Sequence, residues 1–183
     1  VLSGTAMRVL YAESELNVYL AALGTVSREF PIVISRFIEA AKEFEIDGVA
    51  DNGKIIIEAV TEHVEEAGVH SGDATVVLPP QKLYLETVRQ AKEIAQKIAA
   101  ALNISGPFNI QFLAKNNEVK VIEGNLRASR SFPFVSKVTN CNFIALATAI
   151  VLHKNIPNIP RETLALPYVG VKTAQFSYAR LNG

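Results

Sequence analysis

Cysteine occurs once in 183 residues, at Cys141, tryptophan is absent and methionine occurs once. A single thiol excludes an internal disulfide and any zinc site built on several thiolates. It fits a reducing intracellular compartment, cytoplasmic in the first instance with mitochondrial as the alternative. Charge of one sign is lacking as well, because 18 basic residues cancel 18 acidic ones. Without a global field, neither nucleic acid nor a membrane is expected as a partner, and any phosphate ligand has to be gripped locally. The longest hydrophobic run, Phe143–Leu152, is about half of the roughly 20 residues that span a bilayer. The opening residues Val1-Leu2-Ser3-Gly4-Thr5 carry no initiator methionine, basic stretch or cleavage signature, so the chain is expected to be a piece of something longer. What is present, 49% apolar and 20% charged residues, is the balance of a globular protein with a real core, one domain or two small lobes.

Leu16, Tyr19, Leu20 and Leu23 recur at helical spacing, with Glu13 and Ser14 in front and Gly24 behind, which predicts a short helix. Pro31 then opens the β-branched run Ile32–Ile38, read as a buried strand. Glu43–Ala50 alternates acidic with apolar residues, and Asp51-Asn52-Gly53 joins it to Lys54–Val60. Asn-Gly between two such runs predicts a hairpin. The polar stretch Thr61–Asp73 reads as a loop, Ala74–Leu78 as a strand ended by Pro79-Pro80, and Glu86–Leu102 as a helix whose stripe is Val88, Ala91, Ala95, Ile98 and Leu102. Phe108–Leu113 and Val119–Asn125 flank a Lys-Asn-Asn-Glu turn and form a second hairpin. Phe143–Leu152 reads as a buried helix and Tyr168–Tyr178 as a last strand. The fold class is α+β, an antiparallel sheet with helices on one face.

The second hairpin carries the most chemistry. A three-residue loop centred on Asn117 sets Gln111 opposite Glu123, and residues two apart share a face, so Asn109 and Gln111 join Glu123 and Asn125. The other face carries Phe108, Ile110 and Phe112 as a core side. Hard oxygen donors of this kind suit Mg²⁺ completed by substrate phosphates; from spacing alone, a solvated polar face is the more usual reading. Arg127 and Arg130 follow at once, and guanidiniums beside a metal carboxylate are the equipment of phosphoryl transfer. The alternative is a helix start with solvated arginines. In Gly68-Val69-His70-Ser71-Gly72-Asp73 two glycines let backbone N–H groups approach an anion, although such a segment also serves as a plain turn. A third segment runs from Arg36 and Ile38 to Glu43, Glu45 and Asp47. There a strand leaving its sheet can pair with an adenine edge and an acid can take ribose hydroxyls, but an acidic alternating strand more usually faces solvent.

The order of these segments carries a resemblance. Glu62–Asp73 with its Gly-Val-His-Ser-Gly-Asp end, then Gly106-Pro107-Phe108-Asn109-Ile110-Gln111-Phe112, then Val121–Lys137 with its Ser-Phe-Pro-Phe-Val-Ser-Lys end, together resemble the large chain of carbamoyl-phosphate synthase. The likeness is narrower still to the second ATP-grasp unit of that chain, the one that phosphorylates carbamate, and it extends over essentially all residues. The resemblance implies an ATP-grasp fold in which residues 1–30 are the tail of a small lobe that is mostly missing. Residues 31–152 would be the large lobe, and 153–183 a connector. It implies ATP as cofactor with two Mg²⁺ or Mn²⁺ ions, held at Gln111, Glu123 and Asn125. Arg127 would act on the transferred phosphoryl group and Arg130 lie near the acyl-phosphate product. The backbone of Ile38 would meet adenine, Glu43 the ribose, and Arg36, Gly68, Val69, His70 and Ser71 would line the nucleotide. A K⁺ site would lie near Glu43, His63 and Glu66. Carbamate or bicarbonate, the remaining domains of the large chain and a glutamine amidotransferase are the implied partners, in pyrimidine or arginine biosynthesis. Gly124 departs from the cysteine or valine of many family members and is expected to be tolerated. The alternatives are another ATP-grasp ligase, such as a biotin carboxylase, and a non-catalytic nucleotide- or metal-binding module.

Overall fold

The computed structural model describes residues 8–22, 32–69, 72–156, 159 and 166–175. The chain divides into two compact units, Val1–Glu39 and Ala40–Gly183. In the first, helix α1 (Glu13–Ala22) has Glu13 and Glu15 in its first turn, where carboxylates oppose the positive end of the helix dipole. The Tyr11 N–H donates to Glu15 Oε2 at 3.0 Å. Leu16, Tyr19 and Leu20 form its half-buried side, and the Arg8 guanidinium lies 5.8 Å from the Tyr19 ring centre. Leu23 and Gly24 lie outside the described residues. The run 32–38 is irregular rather than a strand. Its β-branched composition raises strand propensity only where a neighbouring strand and a covered face exist, and here Val33 is 86% exposed.

The second unit is built on a six-stranded antiparallel sheet in the order β5-β4-β1-β2-β3-β6. Strands β1 (Lys42–Asp51) and β2 (Lys54–Glu66) form the first hairpin. Asn52 and Gly53 take φ of 48° and 77°, the left-handed pair that a two-residue turn demands. The sheet continues with β3 (Val76–Leu78), β4 (Gly106–Lys115), β5 (Glu118–Asn125) and β6 (Gly170–Lys172). Two expectations fail here. Thr61–Glu66, read as loop because it is polar, is strand: Thr61, Glu62 and His63 are buried, and Glu62 Oε2 accepts the N–H groups of Gln81 and Lys82 at 2.7 and 2.8 Å. Partnered polar groups can be interior. The last strand is shorter than Tyr168–Tyr178, and residues 176–183 lie outside the described residues.

Helices flank both faces instead of one. Helix α2 (Leu85–Ala101) buries Thr87, Ala91, Ala95 and Ala99, and the three alanines cluster with Phe44, Ile46, Phe108, Ile110 and Phe112. Small alanines let it lie close to rings, and Phe44 stacks on Phe112 at 5.2 Å. Leu102, assigned to the buried stripe, falls beyond the last turn and is 59% exposed. Helices α3 (Phe132–Thr139) and α4 (Phe143–Val151) cover part of the opposite face. There Phe132, Val135, Phe143, Leu146 and Ile150 pack on Val49, Ile57 and Ala59. The sequence pattern did not predict α3, although Pro133 suits its first turn. Asn142 caps α4, its Oδ1 accepting from the Ala145 N–H at 2.9 Å. Beyond the cover of α3 and α4, that sheet face carries the polar side chains of Glu43, Glu45, Asp47, Thr61, Asn109 and Gln111.

Candidate functional site

The polar face is set by strand register. Gln111 lies opposite Glu123 and Asn109 opposite Asn125, as the sequence predicts, but by a different route. The turn holds two residues, Asn116 and Asn117, with φ of 52° and 63°, so Lys115 faces Glu118 and Phe112 faces Val121. Continued without change, that register sets Gln111 against Ile122. A bulge between Gln111 and Phe112 adds one residue on β5 and restores Glu123 to the polar side.

Strand β1 extends this face inward, with Glu45 opposite Gln111 and Asp47 opposite Asn109. The expectation that this acidic strand faces solvent fails. β1 lies between β2 and β4, and Glu43, Glu45 and Asp47 are 7%, 2% and 0% exposed. Buried carboxylates require partners. Glu45 Oε1 meets His63 Nε2 at 3.1 Å, and the Asn109 Nδ2 group donates to Glu45 Oε2 and Asp47 Oδ1, both at 2.9 Å. Burial alone lifts the Glu45 carboxyl, but hydrogen bonds from His63 and Asn109 and the charges of His63 and Lys172 hold it below the ordinary range. Asp47 goes the other way. Burial, helped by repulsion from Glu45, pushes it up to about 7 against the pull of Ser129, Asn109 and Lys172. Among the described residues its Oδ2 and the Thr61 hydroxyl have no hydrogen-bond partner.

Toward solvent the network runs on through Asn125. Its Nδ2 donates to Glu123 Oε1 at 2.9 Å and to Asn109 Oδ1 at 3.5 Å, and its Oδ1 accepts from Arg127 Nη2 at 3.3 Å. Glu123 and Arg127 are exposed, while Gln111 and Asn125 are half-buried. The glycine segment also meets this face. Gly68, with φ of 116°, donates its N–H to Glu43 Oε2 at 3.4 Å, and a Cβ on Gly72 would overlap the Arg130 guanidinium. His63 Nδ1 stands 3.9 Å from Glu43 Oε1. Val69 and Glu66 are exposed, and His70 and Ser71 lie outside the described residues. Arg36, exposed, and Ile38, half-buried, belong to the first unit. The face thus combines oxygen donors, buried acids and arginines, the set that holds a phosphate with its hard cations.

The family described as "Carbamoyl-phosphate synthase L chain, ATP binding domain" matches residues 1–159. The chain belongs to that family. It is 58% identical over 183 residues to the multifunctional protein pyr1-3 of Dictyostelium discoideum, covering 100% of this chain and 8% of that protein. It is 52% identical over 191 residues to the mitochondrial arginine-specific large chain of carbamoyl phosphate synthase from Neurospora crassa, covering 100% of this chain and 16% of that one. To the human mitochondrial carbamoyl-phosphate synthase [ammonia] it is 47% identical over 186 residues, 99% of this chain and 12% of that one. The chain therefore spans a small part of the length of these curated relatives. The solved biotin carboxylase domain of a thermophilic 2-oxoglutarate carboxylase, bound to bicarbonate, superposes with a TM-score of 0.59 at 16% identity, over 73% of this chain and 30% of that one. That likeness establishes the fold, ATP-grasp, and nothing of the substrate.

Within this ATP-binding domain, the residues that the sequence pattern undervalues are Glu45, Asp47 and Asn109. The signal was available in Asn109, whose place on the Gln111 face was legible. The burial of the acids was not, because it depends on β4 joining β1 from 62 residues away.

Proposed function

We propose that this chain supplies the large-lobe half of an ATP-grasp unit that phosphorylates carbamate with ATP, giving carbamoyl phosphate and ADP. In that reaction a carbamate oxygen forms a bond to the γ-phosphorus as the bond from that phosphorus to the ADP oxygen breaks. The observation that carries the reading is the alignment of Gln111, Glu123 and Asn125 on one open face beside Arg127. Family membership supports use of ATP. The donor set fits Mg²⁺ or Mn²⁺, since Gln111, Glu123 and Asn125 offer carboxylate and amide oxygens, which are hard ligands. Bound there, two such ions would neutralise charge on the phosphates.

The chain's own residues would do the rest. Glu123 supplies the negative charge of the metal site, with Gln111 and Asn125 completing it. Arg127 stabilises charge on the moving phosphoryl group, and Arg130 attends the acyl-phosphate product. Glu43 takes the ribose, the Ile38 backbone meets adenine, and Arg36, Gly68, Val69, His70 and Ser71 line the nucleotide. A K⁺ ion sits beside Glu43, His63 and Glu66. Carbamate made from bicarbonate, further domains of the same polypeptide and a glutamine amidotransferase complete the system. Relatives described as multifunctional support the further domains. The compartment is the cytoplasm or, as for two of the relatives named above, the mitochondrion.

The test is Glu123→Gln in the full-length synthase that carries this segment. The exposed side chain is isosteric, so folding by circular dichroism is retained. Carbamate-dependent ADP release falls by about 10²-fold or more, the scale of losing one preorganised electrostatic partner. Activity within twofold of the parent with Mg²⁺ dependence intact refutes the assignment.

A further inference from the structure

We infer that Glu45 and Asp47 are positioning residues that decide, through Asn109, which end of the Asn125 carboxamide faces outward. The inference rests on the proposed reading of Asn125 as a metal ligand and deepens it. A carboxamide has a donor end and an acceptor end, and only its neighbours choose between them. The atom of Asn109 that lies 2.9 Å from both Glu45 Oε2 and Asp47 Oδ1 has two acceptors before it, so it has to be the NH₂ group. Both of its N–H bonds are thereby used. The Asn109 oxygen is left facing β5, where it meets Asn125 at 3.5 Å. That oxygen and Glu123 Oε1, 2.9 Å away on the same side, draw the NH₂ end of Asn125 toward them. The Asn125 oxygen is turned the other way, to the side of Arg127.

The consequence is chemical. A hard cation accepts an amide oxygen and rejects an amide NH₂. If Asn109 were reversed, its NH₂ would face Asn125, draw that oxygen inward and present NH₂ where the ion is to be held. Two buried acids on β1 therefore fix the polarity of an amide two strands away. This also accounts for an otherwise costly feature, a carboxyl at Asp47 that is 0% exposed with its Oδ2 unpartnered among the described residues. Burial and the Glu45 charge push that carboxyl up to about 7. Glu45, paired with His63 at 3.1 Å, keeps an acceptor before the Asn109 NH₂ group whichever state Asp47 is in.

Mn²⁺ affinity of the full-length synthase with a non-hydrolysable ATP analogue, read by electron paramagnetic resonance, tests this without turnover. Asp47→Val removes the acceptor and weakens Mn²⁺ binding by about 10-fold or more, the usual effect of losing an outer-shell partner. Asp47→Asn keeps an oxygen acceptor for Asn109 and binds within about twofold of the parent. In an Asn125→Ala background, where no amide remains to be oriented, Asp47→Val changes the affinity by less than about twofold. Equal loss in Asp47→Asn and Asp47→Val, or additive effects in the double variant, overturns the inference. If Asp47→Val does not fold, Asp47→Asn decides alone, since a tenfold loss there means that charge and not the acceptor matters. Mn²⁺ binding that is unchanged by Glu123→Gln and Asn125→Ala would instead remove the metal assignment itself.

Discussion

Asp47 and Glu45 sit two residues apart on one strand, yet their carboxyls are driven in opposite directions. Glu45 has His63 at 3.1 Å and stays ionised. Asp47 is buried with one oxygen unpartnered among the described residues and is lifted from an ordinary 3.8 to about 7. Between those values the folded chain holds a proton that the unfolded chain has released. Asp47 therefore costs nothing below about pH 4, and its penalty grows as pH rises to about 7 and is constant above. Glu45 has the reverse sign, contributing stability above its ordinary 4.5 that is lost as pH falls. The charges facing Asp47 are Glu45 and Lys172, with Ser129 and Asn109 as neutral partners. Asp47→Asn abolishes the titration. Its thermal midpoint should exceed that of the parent at pH 8 and the two should converge toward pH 4; parallel curves across that range would refute the shift.

At the scale of elements, the hairpins were legible because their signals are local. Asn52-Gly53 and Asn116-Asn117 supply left-handed φ values, and the apolar periods of β4 and α2 name their covered faces. The Gln111–Glu123 pairing was reached by symmetry about Asn117, while the true ladder has a tighter turn and a compensating bulge, two departures that cancel. What stayed hidden depends on neighbours distant in sequence. Ile32–Ile38 has the composition of a strand without a pairing partner among the described residues, and the acids of β1 look like a solvated face until β2 and β4 enclose them. Glycines give another test of this packing. Gly48 lies opposite Phe108 in the register, and a Cβ there would overlap that ring. Gly48→Ala should destabilise by about 1–3 kcal/mol in urea titration. A Cβ on Gly124 meets nothing within 4 Å, so Gly124→Val should lie within about 0.5 kcal/mol of the parent. The opposite ranking would show that the β1–β4 register is misassigned.

For the whole molecule, the two units are Val1–Glu39 and Ala40–Gly183, and the face carrying Gln111, Glu123 and Asn125 belongs to the second. On the proposed reading, an ATP-grasp site closes nucleotide between two lobes, and orientation with water exclusion contributes many powers of ten in rate. The 183-residue chain by itself should fold cooperatively on its two apolar clusters. Given ATP, Mg²⁺ and bicarbonate, or ADP and carbamoyl phosphate, it should form neither ADP nor ATP above background in a coupled assay. Turnover comparable to an intact synthase would show that this face needs no second lobe.

The placement of three acids on the central strand has a consequence for biosynthesis on the ribosome. β1 and β2 emerge together and can close their hairpin at once, but the other edge of β1 waits for β4, with Asn109 arriving 62 residues after Asp47. During that interval β1 is an open sheet edge, the kind that templates association with other nascent chains. Glu43, Glu45 and Asp47 then stand in water as three like charges in a row and repel a second copy of the same strand. On the inference drawn above, two of the carboxylates that guard the unfinished sheet, Glu45 and Asp47, later orient an amide in the finished site, and Asn109 ends that guard by neutralising none of the three and hydrogen-bonding those two.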